Sequence, residues 1–161
     1  EALGFRAGDP LALNAVLRAL GDSEPLVVRT ACGVCQRLAL NRAAERLATL
    51  LSDDDETSLA ALQALESIAD TDSFAAVLQV FDQKRSEDVR RQAAFTLRAL
   101  AGERNWQELF ERWSIDSLPR HRVWACNLAG LFGTAGVAHS LEALAGDPNG
   151  HVRKAARRAL R

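Results

Sequence analysis

The sequence predicts an all-α protein, a right-handed superhelix (solenoid) of about five tandem two-helix repeats. One segment recurs at intervals of ~31 residues, and its apolar residues fall on a single helical face. No stretch shows the period-two alternation of apolar and polar residues that is typical of a strand. A helix pair of this length cannot bury both of its apolar faces alone, so stacked pairs must share a core. We therefore expect residues 1–161 to form one repeat domain.

The recurring segment is an amphipathic helix, which we name the B helix of its repeat. Five B helices are predicted to begin near residues 27, 57, 89, 120 and 152. Counting each start as offset 0, small and apolar residues fall at offsets 4, 8 and 11, and offsets 0, 4, 8 and 11 lie on one face of a helix with 3.6 residues per turn. Offset 4 is alanine except in the fourth repeat, where Trp124 stands. This numbering predicts that Trp124 either fills a local gap or lies at the surface.

A second set of short amphipathic runs, the A helices, alternates with the B helices. Turn-forming and capping residues separate the two sets, as in the runs 21–23, 52–55 and 146–150. We assign the acidic run 53–56 to helix capping, because it lacks the ligand spacing of an EF-hand loop. The A helices are PLALNAVLRAL, RAAERLATLL, SFAAVLQVF, WQELFERW and VAHSLEAL.

One motif carries a family resemblance. The string D-x-x-x-x-V-R-x-x-A-x-x-A-L, at 147–160 and in part at 88–100, resembles the HEAT-like repeat of the short bacterial, phycobilin-lyase type. The resemblance covers nearly the whole chain and implies that Arg90 and Arg153 are structural, pairing with aspartates of neighbouring turns. It specifies a fold and hardly specifies a function. In the second and fourth repeats the arginine is replaced, by Ser58 and His121.

Composition points to a cytoplasmic protein outside the membrane. A net charge of -1 and a pI of about 6.4 provide no global field for nucleic acid or anionic lipid. The odd number of cysteines, three, does not suit a disulfide framework and favours a reducing compartment. Arginine far outnumbers lysine, as in GC-rich bacterial genomes. Because the chain begins with Glu1, lacks methionine and opens on a segment resembling the tail of a B helix, we expect a fragment of a longer solenoid.

No residue set in the sequence predicts catalysis. The CxxC pair Cys32 and Cys35 lies within a predicted helix, with Cys35 at core offset 8, so we interpret both as packing residues. The three histidines are dispersed, and the chain has no HExxH, phosphate-binding loop or nucleophile-elbow motif. We therefore expect no enzyme activity, no metal and no cofactor.

Basic residues are concentrated on the B helices. Twelve of the twenty fall there, against two acidic residues, Glu66 and Asp70. Offsets 2, 6 and 9 form a stripe opposite the core, and in solenoids that resemble this one the B helices line the concave side. A purely structural explanation remains open, since the Asp-rich turns can neutralise these arginines. The predicted partner-binding residues are Arg91, Phe95, Arg98, Arg122, Lys154 and Arg158.

The leading functional hypothesis is a protein-interaction scaffold whose concave B-helix face binds a protein or peptide, with an acidic partner suited to the basic stripe. Two alternatives stay open. A nucleic-acid-binding HEAT-like protein would use the arginines and Trp124, although the net charge argues against it. A bilin lyase-like enzyme subunit has the family resemblance as its only support.

Overall fold

The computed structural model describes residues 10–83 and 85–161, and within them the chain forms ten α-helices and no strand. The expected tail of an earlier B helix, at residues 1–9, lies outside this part. The prediction of alternating A and B helices is confirmed. The A helices are α1 (Pro10–Ala19), α3 (Ala44–Thr49), α5 (Phe74–Asp82), α7 (Trp106–Ser114) and α9 (Ala138–Leu144), and the B helices are α2 (Pro25–Leu38), α4 (Asp55–Ile68), α6 (Glu87–Leu100), α8 (Pro119–Phe132) and α10 (Gly150–Ala159).

Three 3-10 turns extend the A helices. Asn41–Ala43 precedes α3, Leu50–Ser52 follows it, and Thr71–Ser73 precedes α5. None of the ten described helices is both long enough and apolar enough to cross a membrane.

The chain divides into two compact units after Leu100, and we call residues up to 100 unit 1 and residues 101–161 unit 2. In unit 1 the B helices α2, α4 and α6 pack in sequence, and α5 packs on α6. In unit 2 the B helix α8 packs on α7 and on α10, and α9 packs on α10. Each unit therefore contains a directly packed pair of consecutive B helices, α4 with α6 and α8 with α10.

Capping side chains and prolines set the starts of the B helices. Asp54 caps α4 by accepting hydrogen bonds from the backbone N–H groups of Glu56 and Thr57. The Thr57 hydroxyl also donates to Asp54 at 2.7 Å and is the main cause that lowers the pKa of this carboxyl. Asn149 caps α10 in the same way, and Pro25 and Pro119 occupy the first turns of α2 and α8. The capping role predicted for the acidic run is thus observed at Asp54.

The structure corrects the numbering of the fourth repeat by one residue. The third residue of each B helix is 27, 57, 89, 121 or 152, so the fourth count begins at His121 and not at residue 120. His121 is buried, whereas Arg120 is exposed. Trp124 then falls at offset 3 and no longer interrupts the pattern. With this numbering, offset 4 is a buried alanine in all five repeats: Ala31, Ala61, Ala93, Ala125 and Ala156.

Unit 2 has a core rich in aromatic side chains. Trp113 is fully buried, and its ring centroid lies 5.9 Å from that of His121 and 5.4 Å from that of Trp124. The His121 and Trp124 rings are also 5.4 Å apart. These distances are typical of packed rings, so Trp124 belongs to an aromatic cluster that extends the core toward the surface.

Candidate functional site

The predicted stripe in unit 1 lies on α6. Arg91 and Arg98 are exposed, and Phe95 between them is half-buried. The guanidinium carbon of Arg98 lies 5.6 Å from the centre of the Phe95 ring, a cation–π arrangement, and Arg91 forms an ion pair with Asp88. This part of the stripe therefore presents one aromatic side chain between two arginines.

The predicted stripe in unit 2 includes Lys154 and Arg158 on α10. Both side chains are exposed, and their i,i+4 spacing places them next to each other on one helix face. Within the residues that the structure describes, no carboxylate pairs with either one. The positive charge on this face of α10 is therefore available to a partner.

Arg122 does not lie on this stripe, and here the prediction needs a correction. The one-residue shift moves it to offset 1, and its side chain is only 14% exposed. Its Nε donates to Asp147 Oδ2 at 2.8 Å and its Nη2 donates to Asp147 Oδ1 at 3.1 Å, a bidentate pair. This pairing raises the pKa of Arg122 and lowers that of Asp147. We therefore assign Arg122 a structural role.

Arg122 also donates hydrogen bonds to backbone carbonyl oxygens of the turn that precedes its own helix, and Arg153 does the same in the next repeat. Nη1 of Arg122 donates to the carbonyl oxygens of Asp116 and Ser117 at 2.7 and 3.0 Å. Nη1 of Arg153 donates to those of Asp147 and Pro148 at 2.8 and 2.9 Å. Arg153 thus has a structural position, as the resemblance implied, but its hydrogen bonds go to backbone carbonyls of the preceding turn and not to an aspartate carboxylate.

In unit 1 an arginine from a different position performs this task. Ser58 occupies offset 1 of α4, and Arg85, from the turn before α6, reaches back into the space beside it. Arg85 donates to the carbonyl oxygens of Leu51 and Asp53, both at 2.7 Å, and pairs with Asp55 at 2.6 Å. Arg85 lies outside the repeated segment, so the repeat pattern does not predict this role.

The candidate site of unit 2 is an open groove of about 470 Å³ between α8 and α10. Its floor is formed by small residues, and a methyl group placed on Gly130 would lie 3.8 Å from Cβ of Ala159. Leu131 stands at its edge with 74% of its surface exposed, although it is a large apolar residue. The lining residues are Cys126, Asn127, Gly130, Leu131, Ala155, Arg158 and Ala159.

The equivalent space between α4 and α6 in unit 1 is bridged by side chains. The Gln92 amide donates to the Glu66 carboxylate at 2.7 Å, and these residues hold the offsets of Ala155 and Gly130. Thr96, at the offset of Ala159, donates its hydroxyl to the carbonyl oxygen of Leu62 at 3.0 Å. Short side chains at the same three offsets leave the groove open in unit 2.

Comparisons with known proteins agree with this repeat geometry. Residues 74–161, more than half of the chain, match the family described as HEAT repeats. The chain belongs to the HEAT repeat family. Among solved structures, it is similar to a designed armadillo repeat protein at 21% sequence identity and a TM-score of 0.62, over 92% of this chain and 81% of the designed one. No curated protein matches. The predicted all-α repeat superhelix of the HEAT-like class is thus confirmed.

The cysteines of this HEAT repeat protein lie in its core, as predicted for Cys32 and Cys35. Both are fully buried free thiols, and burial is the main cause that raises their pKa to about 12 and about 11. Burial also raises the pKa of the Cys126 thiol, to about 11. At neutral pH all three are protonated and pack as small apolar groups.

The remaining polar candidates have structural positions or are dispersed. His121 is buried in unit 2 with its Nδ1 3.2 Å from Oδ1 of Asp116, while His139 and His151 are exposed. Glu56, from the acidic run, pairs with Arg29 at 3.2 Å. In the described parts of the chain, no three His, Cys, Asp or Glu residues are grouped as metal ligands would be.

The repeat pattern predicts the basic face of the B helices but not the groove within it. The groove residues that were not predicted are Asn127, Gly130 and Leu131. The numbering from residue 120 placed Asn127 and Gly130 outside the stripe, and it placed Leu131 at offset 11, a packing position. With the count begun at His121, three small residues fall at facing offsets of consecutive B helices. That pattern was the signal available for finding the groove.

Proposed function

We propose that this HEAT repeat protein is a protein-interaction scaffold that binds its partner on the B-helix face. Repeat proteins of this architecture generally bind partners on the extended surfaces that their stacked repeats create. The observation that carries the proposal is the open groove between α8 and α10, with exposed Leu131 at its edge and Arg158 in its lining. Exposed apolar side chains beside a concavity are typical of binding sites.

We propose that the partner presents an acidic segment to this face. Residues 101–161 carry nine basic and six acidic side chains, whereas residues 1–100 carry eleven basic and fifteen acidic ones. Lys154 and Arg158 concentrate positive charge beside the groove. In unit 1 we keep Arg91, Phe95 and Arg98 as proposed contacts, since aromatic residues and arginine are enriched at protein interfaces.

Nucleic-acid binding is the second candidate, supported by the same excess of basic residues in unit 2. Trp124 no longer adds to that support, because it packs against Trp113 and His121. A phosphate backbone would use the basic residues and leave Leu131 without a contact. The apolar component of the groove therefore favours a protein partner.

The proposal is tested by reversing charge on one face at a time. The B-face variant carries Lys154→Glu and Arg158→Glu, and the control carries Arg104→Glu and Arg112→Glu, with the same change in net charge outside the B helices. Quantitative pull-down from a bacterial lysate should show partners that the B-face variant binds about tenfold more weakly or worse and that the control retains. Circular dichroism melting curves should show that both variants are folded.

Two results would overturn the proposal. Loss of partners by the control alone would place the interaction on another surface. Tight binding of a 20-base-pair DNA duplex, with a steep salt dependence that the B-face variant abolishes, would favour the nucleic-acid alternative.

A further inference from the structure

We infer that the groove between α8 and α10 binds a peptide segment in which one bulky apolar side chain is flanked by acidic residues. The inference rests on the proposed function and adds to it the kind of sequence that the site selects. Among the described residues, two properties of the groove lead to it. No side chain covers its apolar floor, and no carboxylate pairs with Lys154 or Arg158.

The apolar part of the groove accepts a side chain from outside. The floor consists of residues with at most one side-chain carbon, namely Gly130, Ala155 and Ala159, so the backbones of α8 and α10 are not covered there. At the same offsets in unit 1, the longer side chains of Glu66, Gln92 and Thr96 bridge α4 and α6. Leu131 leaves 74% of its surface in water beside this floor. An apolar side chain that packs against Leu131 and the floor removes apolar surface of both molecules from water, which drives binding.

The basic part selects the residues next to that side chain. Arg158 lines the groove itself, and Lys154 lies one turn away on the same face of α10. Arg29, Arg85, Arg91 and Arg122 all have carboxylate partners, whereas Lys154 and Arg158 have none among the described residues. A carboxylate on the bound peptide would therefore form a new ion pair without breaking an existing one.

The lining also favours a peptide over a single-stranded nucleic acid. Binding of unpaired bases typically uses aromatic side chains as stacking platforms, and no described residue of the lining is aromatic. The lining instead offers aliphatic carbon beside one guanidinium and the Asn127 carboxamide. These groups suit a leucine-like side chain, a carboxylate and an amide backbone.

Two labelled peptides test the inference with the full 161-residue chain. The first probe is fluorescein-Gly-Glu-Glu-Asp-Leu-Glu-Glu-Ser, and the second is identical except that serine replaces the leucine. Fluorescence anisotropy in about 50 mM salt should show that the leucine peptide binds about tenfold more tightly or better, as burial of one leucine side chain would produce. Amide chemical shifts should move at residues 126–131 and 155–159.

Matched variants separate the two parts of the groove. Gly130→Leu fills the floor and should reduce the affinity for the leucine peptide to that for the serine peptide, while Gly130→Ala should keep most of the difference. Arg158→Gln should weaken binding of both peptides by a similar factor, because each carries the same acidic residues. Gly130→Ala should fold, since this residue is helical and exposed and a methyl group there makes only ordinary contacts. Circular dichroism melting of Gly130→Leu checks that the larger side chain leaves the chain folded.

The outcomes distinguish this inference from the proposed function. If both peptides bind equally and Gly130→Leu has no effect, while the B-face variant abolishes binding, the apolar selection is wrong and the B-face proposal stands. If the B-face variant binds both peptides as the wild type does, both proposals fail. If neither peptide binds, or if shifts occur only outside 126–131 and 155–159, the inference is overturned.

Discussion

The B-helix pairs α4–α6 and α8–α10 have the same repeat numbering, yet their facing surfaces differ. In unit 1 the hydrogen bond from Gln92 to Glu66 spans the pair, and Thr96 donates to a carbonyl of the neighbouring helix. In unit 2 glycine and alanine at these offsets leave a groove of about 470 Å³. The difference teaches that a repeat can either connect its neighbours through side chains or expose a groove, without any change of backbone fold.

The two units also anchor their turns with arginines from different positions. Arg122 belongs to α8 and reaches forward to Asp147, in the turn before the next B helix. Arg85 belongs to the turn before α6 and reaches back to Asp55, at the start of the preceding B helix. The carbonyl groups of a turn need donors in both cases, and the chain supplies the donor from whichever side is available.

The largest expected loss in the free energy of unfolding comes from a core substitution at offset 8, where the two units carry different residues. Leu97 is fully buried in unit 1, and Ala129 holds this offset in unit 2. Leu97→Ala should lower the free energy of unfolding by about 2–5 kcal/mol through lost burial and a cavity. Arg91→Ala, on the exposed face of the same helix, should cost less than about 0.5 kcal/mol. Urea denaturation measures both, and equal losses would mean that the helix faces are wrongly assigned.

The next effect concerns the arginine that anchors unit 2. Arg122→Ala should lower the free energy of unfolding by about 2–4 kcal/mol, because it leaves the buried Asp147 carboxylate without its bidentate partner. The control is Arg120→Ala. Arg120 is exposed, with its guanidinium 5.3 Å from the Trp124 ring, so this change should cost less than about 1 kcal/mol. A larger loss for Arg120→Ala would restore the count that begins at residue 120.

A smaller effect should appear as a pH dependence that arises in unit 2. The hydrogen bonds from Arg122 hold the pKa of Asp147 below its usual value of about 3.9 in the folded state. A lowered pKa stabilises the folded state at pH values above the unfolded pKa, and this stabilisation is lost as the pH falls through the folded pKa. Urea unfolding between pH 7 and pH 2 should therefore show a shallower acid decline for Asp147→Asn than for the wild type. Parallel curves would contradict the role given to this pair.

The smallest effect comes from transferring the bridge of unit 1 into unit 2. Gly130→Glu combined with Ala155→Gln places the Glu66–Gln92 pair at the same offsets of α8 and α10. We expect a gain of about 1 kcal/mol in the free energy of unfolding, from the replaced helical glycine and one hydrogen bond. Binding of the leucine peptide should weaken, since the new side chains cover the groove. Unchanged binding would mean that the floor of the groove is not a contact surface.

Most of the fold was predictable because periodicity is a local property of the chain. The A and B runs, the acidic cap at Asp54 and the buried position of Cys35 follow from apolar spacing and from capping chemistry. The burial of Cys32 follows from the general preference of free cysteines for the core. The fourth repeat was harder, since its offset-0 residue is His121, a polar side chain that the aromatic cluster buries. Leu128 and Leu131 fall at offsets 8 and 11 of the count that begins at residue 120, so that count fitted the apolar pattern despite Trp124 at offset 4.

The sequence by itself determined that this chain forms stacked helix pairs, where each helix lies, and that basic residues gather on the B helices. The tertiary structure decided which of those residues are available to a partner. One residue along a helix is a rotation of about 100°. Because α8 begins at Pro119, Arg122 lies about 100° away from the exposed stripe and forms the ion pair with Asp147. A groove also needs two helices to face each other, and only their packing brings Gly130 opposite Ala159.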